Sequence, residues 1–273
     1  MGLIGGSLGR GIIKRTGHTV YGFDIDEKSL QKALMLNACH NVLEEENLPQ
    51  LDILIIALYP RTVESYIDKY QDKLKPGCVV MDCGGIKRQV VTMMKEKVDK
   101  YGHLRFIGVH PMAGREYCGI EHSSVNLFEK ASVLLCPVNP EIELLTMIKH
   151  FFQEIGFAEV LITSPEKHDR VIAYTSQLAH VISNAYVKSP VALDHHGFSA
   201  GSFRDLTRVA RLNPLMWSEL MMDNRDNLIK EIELLVSNIS KYKDALENRD
   251  EAELSRLLEE GSERKIGIES TKL

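Results

Sequence analysis

The run Leu51-Asp52-Ile53-Leu54-Ile55-Ile56-Ala57-Leu58 decides the fold. It is apolar at nearly every position rather than at every second one, the pattern of a parallel strand covered on both faces. Working outward, residues 18–24, 78–82, 105–109, 132–136 and 159–163 read as further short β-rich runs. Helical stretches over residues 61–74 and 87–100 lie between them, the first closed by Lys75-Pro76-Gly77. Asp26 offers a cap for another helix over residues 27–36. Strands alternating with crossover helices predict a parallel α/β sheet.

Beyond Ser164-Pro165-Glu166 the character changes, and no strand-like run follows. Residues 169–187 and 216–246 carry apolar side chains at helical spacing, and residues 251–258 form a short amphipathic helix. A boundary near Thr163 therefore divides the chain into an α/β domain, residues 1–163, and an all-helical domain, residues 164–273. Leu228, Ile232, Leu235 and Ile239 make an apolar stripe that either packs inside its domain or forms a dimer seam.

The 273 residues are 44% hydrophobic and 26% charged, a balance that excludes a disordered or fibrous chain. Lys and Arg number 33 against 38 Asp and Glu, and a net charge of −5 argues against nucleic acid or an anionic membrane as partner. No apolar run approaches the ~18 residues of a membrane span, and no basic stretch followed by an apolar one marks a signal peptide. Cys39, Cys78, Cys83, Cys118 and Cys136 are odd in number and form no C-x-x-C pair, so we expect small buried hydrophobes in a reducing cytoplasm.

The opening Met1-Gly2-Leu3-Ile4-Gly5-Gly6-Ser7-Leu8 runs into an apolar-periodic helix closed by Gly17. Gly2-x-x-Gly5 is the second half of the G-x-G-x-x-G fingerprint, in which the backbone approaches a pyrophosphate held over free N–H groups at a helix N-terminus. Asp24 closes the next run near the ~20-residue interval at which a carboxylate bonds ribose hydroxyls. Its charge would repel a 2′-phosphate, which favours NAD over NADP. The expected cofactor contacts are Gly2, Leu3, Ile4, Gly5 and Asp24, with Pro60 and Gly84 after the following strands. The plain alternatives are a mobile N-terminal turn and a turn acid. Such a fold begins with a strand and a first glycine, yet Met1 stands between the positions of the first two glycines. We therefore expect the sequence to start downstream of its natural beginning; otherwise the sheet closes differently.

His110 follows the run 105–109 in His110-Pro111-Met112-Ala113-Gly114-Arg115-Glu116. A histidine at the carboxyl end of a parallel strand faces the crevice where ligands of open α/β sheets bind. Its neutral imidazole accepts a proton near pH 7. His195-His196 before Gly197 reads as a solvated turn, and no metal site is expected.

The strings G-L-I-G-G-S-L, D-C-G-G-I-K, H-P-M-A-G-R-E, P-E-K-H-D-R and F-R-D-L-T-R-V-A…N-P-L-M-W occur in that order. Together they resemble the prephenate dehydrogenase family of tyrosine biosynthesis, which includes arogenate and cyclohexadienyl dehydrogenases. The resemblance implies a nucleotide-binding domain, a helical domain that closes the site and dimerises, and oxidative decarboxylation of prephenate with NAD. It implies that His110 bonds the substrate's ring hydroxyl and helps it lose its proton. It further implies that His180 lines the substrate pocket, that Arg208 binds a carboxylate, and that Gly201, Asp205 and Trp217 are neighbouring pocket positions. Two departures stand out. Gly85 occupies the place of a serine that bonds the catalytic histidine in many members, so a water or another residue must orient His110. Gln177, counted among the implied substrate contacts, replaces a histidine in the family's S-H-L-P-H, which leaves prephenate and arogenate both open as substrate. Against these implications stand an ion pair between Arg208 and Asp205, core packing of Trp217 and His180, and an inactive nucleotide-binding module. A hydroxyacid dehydrogenase would need a catalytic lysine in the second domain, and Lys188 before Ser189-Pro190 suits it poorly. The chain ends soon after its helices, leaving no expected room for a regulatory domain.

Overall fold

The computed structural model describes residues 1–100, 102–115 and 117–270. Helix α1 (Leu3–Arg15), with Gly2 as its cap residue, is followed by β1 (Tyr21–Gly22), α2 (Glu27–Met35) and β2 (Asn41–Val42). Asp26 caps α2 by accepting the Ser29 N–H at 3.0 Å. The alternation continues through β3 (Ile53–Ile56), α3 (Pro60–Tyr70), β4 (Val79–Asp82), α4 (Arg88–Lys100) and β5 (Arg105–Pro111). It then adds β6 (Ser132–Pro137), α5 (Ile142–Glu154) and β7 (Glu159–Ile162).

Strands β3 to β7 form one sheet in sequence order. Alternate residues of the uniformly apolar strands serve opposite faces. Met81, Ile107 and Leu135 pack with Leu8 and Ile12 of α1 and Ile148 of α5. Val80, Phe106 and Cys136 pack with Val63 and Ile67 of α3 and Met94 of α4. Both faces are thus covered, as the sequence pattern requires. One pairing departs from the expected all-parallel sheet: β5 and β6 run antiparallel, with His110 opposite Leu134. Between them the described residues form only a 3-10 turn at Ile120–His122, and without a crossover helix the chain returns in the opposite direction. Cys118 is exposed and Cys83 only partly buried, against the expectation of five buried cysteines.

β1 and β2 make a separate two-stranded parallel sheet, so the run expected over residues 18–24 is reduced to Tyr21–Gly22. A cavity of about 1320 Å³ is lined by Val20, Tyr21 and Phe23 of the β1 segment and by Ile53, Ile55 and Ala57 of the β3 segment. β3 is an edge strand of its sheet and borders this cavity.

After β7 the described residues are helical or irregular. Helix α6 (Pro165–Ile172) passes through a π-helical turn, Ala173–Leu178, into α7 (Ala179–Tyr186). Helices α8 (Gly201–Thr207), α9 (Pro214–Asp223), α10 (Arg225–Glu247) and α11 (Glu251–Ser270) follow. The helical spacing over residues 216–246 belongs to two helices that meet at Asn224. α11 runs well past the expected end at residue 258, supported by Arg264–Glu260 and Lys265–Glu269 ion pairs one turn apart. By packing, the chain forms two compact units, residues 1–224 and 225 onward, a division that falls inside the expected helical domain. In the second unit Leu228, Ala245 and Leu257 are buried, whereas Ile229, Leu234, Val236 and Ile239 are exposed. Among the described residues no helix is long and apolar enough to cross a membrane.

Candidate active site

β4 ends at Asp82, and the turn Cys83-Gly84-Gly85-Ile86-Lys87 leads into α4. Asp82 and Lys87 form an ion pair with essentially no solvent exposure. The carboxylate also accepts the Gly84 N–H at 2.9 Å and the Val109 N–H at 3.4 Å. A buried pair of this kind needs such additional bonds to offset desolvation. Here they lock the turn against β5, the strand that carries His110.

His110 lies near the carboxyl end of β5 and is half-buried. Its Nδ1 is 2.9 Å from Nε2 of His168. His168 Nδ1 is in turn 2.7 Å from Asp169 Oδ1, and both residues are buried. Asp169 accepts the backbone N–H groups of Lys87 at 2.8 Å and Arg88 at 2.9 Å, and the Arg88 Nε–H at 3.2 Å. Burial, then His168, then the Lys87 ammonium hold the His110 imidazole well below the usual histidine range, so it is neutral at pH 7. Burial alone would raise the Asp169 carboxyl, but the His168 and backbone hydrogen bonds outweigh it and hold it below the usual carboxylate range. The other face of His110 is open toward the β4 turn. A Cβ built on Gly85 would stand 3.9 Å from His110 Nε2 and 3.5 Å from Leu220 Cδ2.

Leu220 connects this centre to the helices. Its carbonyl accepts from Gln177 Nε2 at 2.8 Å, and Gln177 Oε1 accepts from Asn224 Nδ2 at 2.9 Å. One helical turn along both segments, His180 lies against Trp217 with ring centroids 4.0 Å apart. His180 Nδ1 donates to the Ser176 carbonyl at 2.8 Å. Burial, opposed by that bond and reinforced by the Arg208 cation, keeps His180 below the usual histidine range. His110, Gly85 and Leu220 thus lie close together, Gln177 bonds Leu220, and His180 packs on Trp217 within electrostatic reach of Arg208. Gln177 belongs to the same assembly, but both ends of its buried amide are committed to protein partners. Gly201 and Asp205 lie on α8, which meets α7 through Phe203 and Tyr186, and Asp205 is exposed. Sequence reasoning quoted His168, Asp169, Asp82 and Lys87 within motifs without giving them roles. The usable signal was a histidine and an acid side by side just after the helix cap Ser164.

The nucleotide candidates gather at the other end of α1. Its first turn carries no acid, and Lys14 and Arg15 occupy its last turn, so the positive end of the helix dipole is uncompensated. A Cβ on Gly2 would meet nothing within 4 Å, which leaves the helix start open to a ligand. A Cβ on Gly5 would touch Ala57 at 3.4 Å, so Gly5, in the first turn with Leu3 and Ile4, lies beside the chain leaving β3. Pro60 opens α3 a few residues further on. These features fit the phosphates of a dinucleotide. Asp24 accepts the Met1 ammonium at 2.7 Å and the Asp26 N–H at 2.9 Å.

Two family models match the chain: prephenate dehydrogenase, nucleotide-binding domain, over residues 9–161, and prephenate dehydrogenase, dimerization domain, over residues 164–260. A cyclohexadienyl dehydrogenase of Zymomonas mobilis is 26% identical, covering 99% of this chain and 94% of that protein. A prephenate dehydrogenase of Bacillus subtilis is 26% identical over 98% of this chain and 74% of that protein. The crystal structure of an Aquifex aeolicus prephenate dehydrogenase in complex with hydroxyphenyl propionate and NAD+ superposes with a TM-score of 0.85. It is 27% identical and covers 98% of this chain and 95% of that one.

Proposed function

The chain belongs to the prephenate dehydrogenase family, and on that premise we propose that it oxidatively decarboxylates prephenate with NAD. The observation that carries this reading is His110: a neutral imidazole at the end of β5 whose Nε2 faces the Gly85–Leu220 surface. His110 Nε2 accepts the proton of the substrate's ring hydroxyl as hydride leaves the carbon bearing it. NAD, when bound, supplies the hydride acceptor. Carbon dioxide leaves the opposite ring carbon, and the ring becomes aromatic, so the protein need only orient, polarise and exclude water. Arg208 clasps a substrate carboxylate with its guanidinium fork, and His180 and Trp217 wall the pocket beside it. Gly201 and Asp205 complete that side. Gln177 acts behind the pocket by tying α9 to the π-helical turn. The first turn of α1, Gly2 to Gly5, holds the pyrophosphate, with Pro60 and Gly84 alongside and Asp24 on the ribose.

We read the chain as dividing functionally near residue 163, a reading supported by family-model spans of residues 9–161 and 164–260. The exposed apolar residues of α10 support a homodimer formed through the helical part. The reaction is tested by following NADH absorbance with prephenate and with arogenate, using NAD and NADP in turn. His110→Asn should lower kcat by about 10²- to 10⁴-fold. Arg208→Ala should raise KM by roughly 10- to 100-fold, the worth of a charged hydrogen-bonded contact. Turnover by His110→Asn equal to that of the parent protein would refute the role of His110, and equal use of NADP would refute that of Asp24.

A further inference from the structure

The hydrogen-bond chain behind His110 touches neither substrate nor cofactor in the proposed reaction, yet its chemistry constrains that reaction. A carboxylate only accepts hydrogen bonds. The 2.7 Å contact of Asp169 Oδ1 with His168 Nδ1 therefore puts a hydrogen on His168 Nδ1. With a single ring hydrogen, His168 then carries its lone pair on Nε2, which accepts. The 2.9 Å contact in turn makes His110 Nδ1 the donor. That leaves the lone pair of His110 on Nε2, the nitrogen facing Gly85 and Leu220.

We infer that His168 and Asp169 are positioning residues that hold His110 in its Nδ1–H tautomer, with its basic nitrogen turned toward the substrate hydroxyl. The inference rests on the reaction proposed above. It also answers the departure at residue 85, where this chain has glycine. The orienting bond comes from the far side of the ring instead. Both residues are out of solvent, His168 at 2% and Asp169 at 0% exposure. Asp169 is itself fixed by the Lys87 and Arg88 backbone at the start of α4. The reverse arrangement of a singly protonated His168, with Nε2–H donating, would strip Asp169 of its imidazole donor and place a hydrogen on His110 Nε2. A base so protonated cannot take the substrate's proton. When His110 does take it, the Nδ1–H bond to His168 persists and the Asp169 charge behind it stabilises the imidazolium.

Nitrogen NMR of the histidine rings in the whole protein reads the tautomer without substrate. Protonated Nδ1 and bare Nε2 on His110 are expected, and the reverse would overturn the inference. His168→Asn keeps a donor toward Asp169 but stops short of His110, whereas His168→Gln returns an acceptor to the place of Nε2. His168→Asn should lower kcat on the order of 100-fold, the low end of what a positioned general base contributes, with KM little changed. His168→Gln should recover most of that loss. Undiminished kcat in His168→Asn, or equal loss in both variants, would overturn the inference. If the parent protein turns over neither prephenate nor arogenate, the reaction assignment fails, while the ring spectrum still decides the tautomer.

Discussion

Gly85 and His168 stand on opposite sides of one imidazole, and the exchange of roles between them is the chemistry of this site at the scale of the residue. His110 gains its orientation from a buried partner and loses solvent in the process. Burial also holds His180 below the usual histidine range, and both shifts have a consequence for stability. In the unfolded chain these imidazoles bind protons as pH falls through about 6.5, while in the folded chain they stay neutral to lower pH. The unfolded state therefore binds more protons in that window. Stability is full above the ordinary histidine value and falls as pH drops toward the folded pKa values. The Asp169 carboxyl, held below its usual range, acts in a separate and lower window: its stabilisation is lost only as pH falls through its folded pKa. Thermal melts should thus show Tm decreasing between about pH 7 and pH 5.5, with a shallower decrease in His110→Gln. An identical slope in the variant would mean that His110 is not held neutral by the fold. His110 was legible in the sequence because strand ends in α/β sheets point into the crevice. His168 was not, because a buried His-Asp pair on a helix has no periodicity that separates it from a solvated one.

Among the elements, α1 carries the tightest constraint. A Cβ on Gly9 would come 1.9 Å from the Ala38 carbonyl oxygen, a backbone atom that cannot swing aside. By contrast, a Cβ on Gly17 would meet nothing within 4 Å. Gly9→Ala should cost about 1–3 kcal/mol, as overpacking does, and lower Tm by roughly 3–10 °C. It should also raise KM for NAD, because α1 must shift and its first turn is the proposed phosphate site. Gly17→Ala is the control and should leave both unchanged; equal effects of the two variants would show that packing against Ala38 is not the cause. The apolar runs made most elements readable, but their limits were set by partners the sequence does not display. Residues 18–24 shrank to β1 because only β2 pairs with them. The helical spacing over residues 216–246 is divided between two helices where Asn224 turns its amide inward, donating to the Asp169 carbonyl at 2.8 Å and to Gln177. Helical spacing continues across that break, so apolar periodicity alone could not locate it.

At the scale of the whole molecule the open slot beside β3 is the feature that most needs filling. A cavity of about 1320 Å³ exceeds the size of ordinary ligand pockets and is lined by the β1 and β3 segments. Part of its wall is apolar: Leu8 and Ile12 from α1, Phe151 from α5 and Ile53 to Ile56 of β3 line it. Each Val or Ile seated there would gain about 1.5–3 kcal/mol of burial against roughly 1–2 kcal/mol of backbone ordering. An uncharged, β-branched segment of about six residues, fused ahead of Met1, should therefore add a few kcal/mol and raise Tm by roughly 5–10 °C. The same fusion turns the Met1 ammonium into a neutral amide. That removes the charge now bonded to Asp24 at 2.7 Å and frees the carboxylate for a ribose hydroxyl. KM for NAD should fall in parallel with the gain in Tm, whereas a polar segment of equal length should lower KM without raising Tm. A β-branched fusion that leaves Tm unchanged would show that the slot does not take a strand. A rise in Tm with unchanged KM would separate the slot from the nucleotide site and remove Asp24 from it.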